Sequence, residues 1–189
     1  PQLNLGYGSA GRISPDGRFI VYSGRSRLWL RDLSRFEATE IPGSEGAISA
    51  FWSSDGTHVG FAKDRKIWTW ALAGGQSTNI CAIPGVDGFN GATWGSDGKI
   101  YFAAWRGGLY EVAAAGGEPR LVLAPGSDEV DFHYPSLLPD GRHLVTVAHP
   151  KKGPAPVVVV SLPDGGRKDL ASFEGLETVV YAPSGHLLL

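Results

Sequence analysis

The sequence predicts an all-β fold, an incomplete β-propeller of four full four-stranded blades and part of a fifth. Three observations predict it. A turn element recurs as Ile13-Ser14-Pro15-Asp16-Gly17, Trp52-Ser53-Ser54-Asp55-Gly56, Trp94-Gly95-Ser96-Asp97-Gly98, Leu137-Leu138-Pro139-Asp140-Gly141 and Tyr181-Ala182-Pro183-Ser184-Gly185. Its glycines are spaced by 39, 42, 43 and 44 residues, a period that suits one propeller blade. Finally, the turns leave no uninterrupted amphipathic stretch of about ten residues, so helix should be near absent.

Each turn has a chemical reason. Asp or Ser before Gly supplies the positive φ of a tight reversal, and the Asp carboxylate can bond the turn's own backbone. Ile13, Trp52, Trp94, Leu137 and Tyr181 hold the same place in each copy, so they should form a column filling the space between blades.

Residues 1–10 are a lead-in with a possible ring-closing strand at 2–5, and the blades occupy 11–189. Gly6-Tyr7-Gly8-Ser9-Ala10-Gly11 matches the G-x-G-x-x-G fingerprint of dinucleotide-binding proteins, but Pro15-Asp16-Gly17 turns the chain where that motif must open a helix. The first blade, 11–42, uses strands 11–14, 18–23, 27–33 and 37–42. The second, 48–83, uses 48–53, 57–63, 66–72 and 77–83. The third, 91–123, uses 91–95, 99–104, 108–113 and 119–123. The fourth, 134–171, uses 134–138, 142–148, 155–161 and 167–171, and 178–189 supplies part of a fifth. Second-strand runs such as Phe19-Ile20-Val21-Tyr22 and Ile100-Tyr101-Phe102-Ala103 are apolar on both faces, as strands between stacked sheets require. The chain has no Met and stops inside Leu187-Leu188-Leu189, so a piece of a longer ring is expected, with further blades outside it.

Composition narrows the function classes. Charged residues make up 19% of the 189, with 27 Gly and 13 Pro, which fits many short buried strands and argues against disorder. The formal net charge of -2 gives no support to nucleic-acid binding, and the six arginines among residues 12–35 read as a solvated rim. No apolar run reaches the length of a membrane span. Cys81 is the single cysteine, so no intrachain disulfide exists, and its apolar setting Ile80-Cys81-Ala82-Ile83 suggests a buried small hydrophobe.

The recurring Pro/Ser-Asp-Gly turn, the apolar strand after it and the Leu28-Trp29, Ile67-Trp68 and Leu109-Tyr110 pairs resemble the WD-like repeats of TolB-type bacterial β-propellers. The resemblance covers residues 11–189. At finer grain, Arg27-Leu28-Trp29-Leu30-Arg31-Asp32-Leu33, Gly108-Leu109-Tyr110-Glu111-Val112 and Tyr181-Ala182-Pro183-Ser184-Gly185-His186-Leu187-Leu188 look like the propeller attached to certain bacterial serine/threonine kinases. The resemblance implies a non-catalytic module for protein interaction or ligand sensing within a larger signalling protein, in an extracytoplasmic or periplasmic location. Two alternatives remain, the propeller domain of a prolyl-oligopeptidase-type peptidase and a periplasmic TolB-like protein.

Neither a G-x-S-x-G elbow, nor H-E-x-x-H, nor C-x-x-C, nor a kinase signature occurs, so no catalytic, cofactor or metal residues are assigned. His58, His143 and His186 each follow a turn in a different blade, too far apart to share an ion. His133 and Tyr134 enter the fourth blade and are assigned to ordinary packing, while Phe51, Trp70 and Trp105 lie off the repeating columns and could line a binding face. An acidic rim is the remaining candidate site: Glu45, Asp87, Glu129 and Glu174 occupy the connectors between blades, 11 or 12 residues before the following turn glycine. Polar glycine-rich turns favour such residues anyway. The functional alternative is a ring of carboxylates that attracts a cation or a basic protein or peptide partner.

Overall fold

In the structure, a computed structural model that describes residues 11–85, 88–182 and 184–189, four antiparallel sheets of four strands and one of two follow one another along the chain. The first comprises β1 (Arg12–Ile13), β2 (Phe19–Gly24), β3 (Arg27–Asp32) and β4 (Ala38–Glu40). The second comprises β5 (Ile48–Trp52), β6 (His58–Lys63), β7 (Lys66–Ala71) and β8 (Ser77–Ala82). The third holds β9 (Phe89–Trp94), β10 (Lys99–Ala104), β11 (Leu109–Ala113) and β12 (Arg120–Leu123). The fourth holds β13 (Glu129–Leu137), β14 (His143–Pro150), β15 (Ala155–Ser161) and β16 (Arg167–Phe173), and β17 (Val180–Ala182) pairs with β18 (His186–Leu188). Within each sheet the strands lie in chain order, and no helix occurs among the described residues. This is the predicted incomplete propeller. The expected strand at 2–5 and most of the fingerprint at 6–11 lie outside the described residues.

The turn element folds the same way five times. The amides of Gly17, Gly56, Gly98, Gly141 and Gly185 donate to the carbonyls of Ser14, Ser53, Gly95, Leu138 and Ala182, and each of these glycines has φ between 63° and 87°. The carboxylates of Asp16, Asp55, Asp97 and Asp140 then accept from the backbone N–H two residues on.

Hydrophobic burial occurs between blades, which is why the second strands are apolar on both faces. Val21 and Leu28 of the first blade pack with Val59 and Phe61 of the second, and Ile67 and Ile80 of the second pack with Ile100 and Phe102 of the third. Tyr101 and Leu109 meet Phe132 and Val158 of the fourth, and Val145 and Val157 meet Val179 of the last. Trp52, Trp94, Leu137 and Tyr181 each join one of these layers as the column predicts. Ile13 does not: it is exposed, because no described blade packs on its side.

Two inner strands start earlier than the spacing predicts, at Phe89 and Glu129 rather than 91 and 134. Both run through a β-bulge and resume pairing beyond it, and the register shifts again between Ile48 and Phe51 in the second blade. Each bulge contains a left-handed residue seven places before its turn glycine: Ser49 (φ 49°), Gly91 (φ 97°) and Tyr134 (φ 46°).

Candidate functional site

The innermost strands β1, β5, β9, β13 and β17 lie side by side and surround a cavity of about 230 Å³. The three bulges turn Ser49, Gly91 and Tyr134 into its wall, beside Thr93, Ser136 and Thr178. Arg12 is its charged member, with the guanidinium carbon 5.9 Å from the centroid of the Tyr134 ring. Among the described residues the lining contains neither a carboxylate nor an imidazole. Its wall mixes hydroxyls and small residues with the larger apolar side chains of Ile13, Phe51, Trp52 and Val179, and Arg12 is its one cation among the described residues.

At one end of each sheet the connector between blades meets the turn joining the second and third strands. The amide of Gly46 donates to the Ser26 carbonyl, that of Trp105 to Gly88 and that of Lys151 to Asp128. On this side the structure brings together three side chains that sequence spacing alone does not connect. Asp131 and His133 are two apart on β13 and so share a face, while His149 on β14 is the register partner of Asp131. The Asp131 Oδ1 lies 3.1 Å from His133 Nε2 and 3.2 Å from His149 Nδ1. Its Oδ2 accepts the Arg106 amide of the third blade at 2.8 Å. Asp131 is fully buried. Burial raises its pKa, but the His133 contact, the Arg106 amide and the neighbouring imidazoles more than offset that and hold the carboxyl below its usual range. His149 remains half-exposed, so the group opens to solvent on one side. The carboxylate of Glu177 lies 3.6 Å from His133 Nδ1. A D-x-H pair in a strand, with a second His one hairpin later, is the sequence signal for this group.

The acidic rim is distributed differently from a free ring. Glu45 is exposed and faces Arg27 and Lys63 at 3.7 and 3.9 Å. Glu129 belongs to strand β13 rather than to a connector; it caps the Gly126 amide and pairs with Arg167 at 2.7 Å, with its side chain 11% exposed. Glu174 is exposed, and Asp87 lies outside the described residues.

Of the aromatics considered for a binding face, Phe51 packs on Gly60 in the core and also lines the central cavity, while Trp70 lies within the layer between the first two blades. Trp105 is exposed at its turn. His58, His143 and His186 stand apart; His58 bonds Thr57, His143 bonds Asp140 and His186 bonds Ser184. Cys81 is buried, and burial pushes its thiol up to about 11.

No family model matches this sequence, and no curated protein matches it. Solved structures do. TolB from Acinetobacter baumannii superposes with a TM-score of 0.74 at 20% identity, covering 96% of this chain and 48% of that one. The β-propeller domain of Cps50 (Swd1) from Myceliophteria thermophila gives 0.71 at 15%, covering 98% and 63%. An oligogalacturonate lyase in complex with manganese gives 0.69 at 17%, covering 97% and 59%. At these identities the likeness shows the fold alone, a β-propeller, and the chain spans about half the length of the Acinetobacter protein.

Proposed function

We propose that this chain is a non-catalytic β-propeller module that binds a protein or peptide partner at the mouth of its central passage. The observation that carries the proposal is the lining of that passage. Five inner strands present Arg12, the hydroxyls of Ser49, Thr93, Tyr134, Ser136 and Thr178, and the apolar side chains of Phe51, Trp52 and Val179 around it. Donors, acceptors and apolar contacts converging on one concave site are what recognition of a peptide draws on. The resemblance of Arg27–Leu33, 108–112 and 181–188 to kinase-attached propellers supports a place within a larger bacterial signalling protein, as its sensor. The basic-partner reading of the rim is weakened by the cations already facing Glu45 and Glu129.

The test titrates a panel of acidic, neutral and basic peptides while following tryptophan fluorescence, to which Trp52 in the cavity wall contributes, in the chain itself, in Trp52→Phe as the control for that contribution, and in Ala92→Phe. Saturable binding that Ala92→Phe abolishes is expected. In parallel the chain is incubated with oligogalacturonate and manganese. Cleavage of the oligosaccharide, or peptide binding indifferent to Ala92→Phe, would overturn the proposal.

A further inference from the structure

We infer that Asp131, His133 and His149 form a binding site for one divalent first-row transition-metal ion, with zinc as the reference ion. The three donor atoms, Oδ1 of Asp131 and one ring nitrogen from each histidine, lie within 4.8 Å of one another. Ligand bonds of about 2.0–2.2 Å in tetrahedral geometry put donors about 3.4 Å apart. The carboxylate oxygen already stands 3.1 and 3.2 Å from the two nitrogens. Small ring rotations therefore admit an ion where the imidazole protons now point.

The surroundings of the group are those of a metal site. The Arg106 amide fixes Oδ2, so Oδ1 is the oxygen aimed at the two rings. The Thr146 hydroxyl donates to the His133 carbonyl at 2.7 Å and holds the backbone beside the bulge. Glu177 lies 3.6 Å from the other ring nitrogen of His133, outside hydrogen-bond range, and a small movement of its exposed side chain would let the carboxylate orient a ligating imidazole. Two nitrogens and one carboxylate oxygen suit zinc, iron, nickel or copper better than magnesium or calcium, which take oxygen ligands. Three protein ligands leave a coordination position open on the solvent side, where His149 is half-exposed. The two imidazole rings already lie 4.9 Å apart by centroid. The inference is independent of the proposed partner, since none of the three residues lines the central passage.

The experiment uses the full chain without a polyhistidine tag. Equilibrium dialysis against zinc, with elemental analysis, gives stoichiometry and affinity; cobalt(II) substitution gives the visible spectrum of the site. One ion per chain is expected, with an intense low-symmetry cobalt spectrum. His149→Ala, at a half-exposed position, should weaken binding by about 100-fold or more, while the ion-free protein stays folded with a lowered thermal melt, since Asp131 keeps its His133 and Arg106 contacts. Glu177→Gln should weaken it by about 10-fold. A triple variant at His58, His143 and His186 should bind like the parent. Absence of stoichiometric binding, or binding that survives His149→Ala, or binding lost in the triple variant, would overturn the inference.

Discussion

The Cβ that Gly91 lacks would lie 2.7 Å from the ring of Tyr134 and 3.0 Å from its Cα. The two residues occupy equivalent bulges of adjacent blades, each seven places before its turn glycine, and both face the central passage. Gly91 also has φ of 97°, a conformation that L side chains rarely adopt. Gly91→Ala combines steric overlap with backbone strain, and the expected cost is about 1–3 kcal/mol. Urea denaturation measures it. The variant should also displace Tyr134 and change the accessibility of the cavity, readable as a change in tryptophan fluorescence that Trp52→Phe removes. A variant as stable as the parent would mean that neither the bulge nor the close approach constrains this strand.

Phe102 tests the claim that stability resides between blades rather than within them. It is fully buried, belongs to the layer with Ile67 and Ile80 of the preceding blade, and stacks on Tyr110 at 5.6 Å. Truncation to Ala removes a large side chain from a site with rigid sheets on both sides. A loss of about 3–5 kcal/mol is expected, measured as a shift of the denaturation midpoint without a change of slope. Phe36, an aromatic of the same size but almost fully exposed, supplies the control, and its replacement by Ala should change stability by less than about 0.5 kcal/mol.

The fold was legible because its signal is periodic. Five Asp-Gly or Ser-Gly turns fix where each first strand ends, and the structure closes all five with the same glycine amide bond. What spacing does not carry is the bulge. The left-handed residue at Ser49, Gly91 and Tyr134 is three different residue types, so composition gives no warning, and the early starts of β9 and β13 were hidden. The same limit explains the candidate site. Asp131 and His133 precede the strand start at 134 that the spacing predicts, so period-two alternation is not applied to them, and His149 becomes their neighbour only through the register of β14. The rim carboxylates illustrate the converse. Equal spacing from the turns says nothing about partners, and Glu129 is tied to Arg167 on the outermost strand of its blade.

Glu129 and Glu174 should therefore respond differently to loss of charge. Glu129 is largely shielded, caps an amide and pairs with Arg167, so Glu129→Gln leaves the guanidinium with the exposed Asp169 as its one remaining carboxylate partner among the described residues. The expected loss lies between that of an exposed and a buried pair, about 1–3 kcal/mol. Glu174 is exposed, and Glu174→Gln should change stability by less than about 0.5 kcal/mol. Thermal melts at low and moderate salt distinguish the two. Equal, small and salt-sensitive effects at both positions would return Glu129 to a free acidic rim.

The turn carboxylates give the protein an acid-side pH dependence. In the second blade Asp55 accepts bonds from the Ser53 hydroxyl and from the amide and hydroxyl of Thr57, which together hold its pKa down at about 2. Asp16 is lowered by the Ser14 hydroxyl and the Arg18 amide, and Asp140 by the Arg142 amide and His143. An unfolded Asp titrates near ~3.9. The folded-state value lies below the unfolded one, so the stabilisation is complete above about pH 4 and is lost as pH falls towards about 2. Asp55 is solvent-exposed, so screening keeps its individual share small, and the measurable effect is the sum over the recurring turns. Asn in place of Asp keeps a side chain able to accept in the turn but removes the charge. The stability of the parent should exceed that of the triple variant Asp16→Asn, Asp55→Asn, Asp140→Asn by a constant margin between pH 5 and pH 7, and the two should converge as the pH is lowered through the window. A margin that stays constant down to pH 2 would show that the neutral carboxyl serves the turn as well as the carboxylate does.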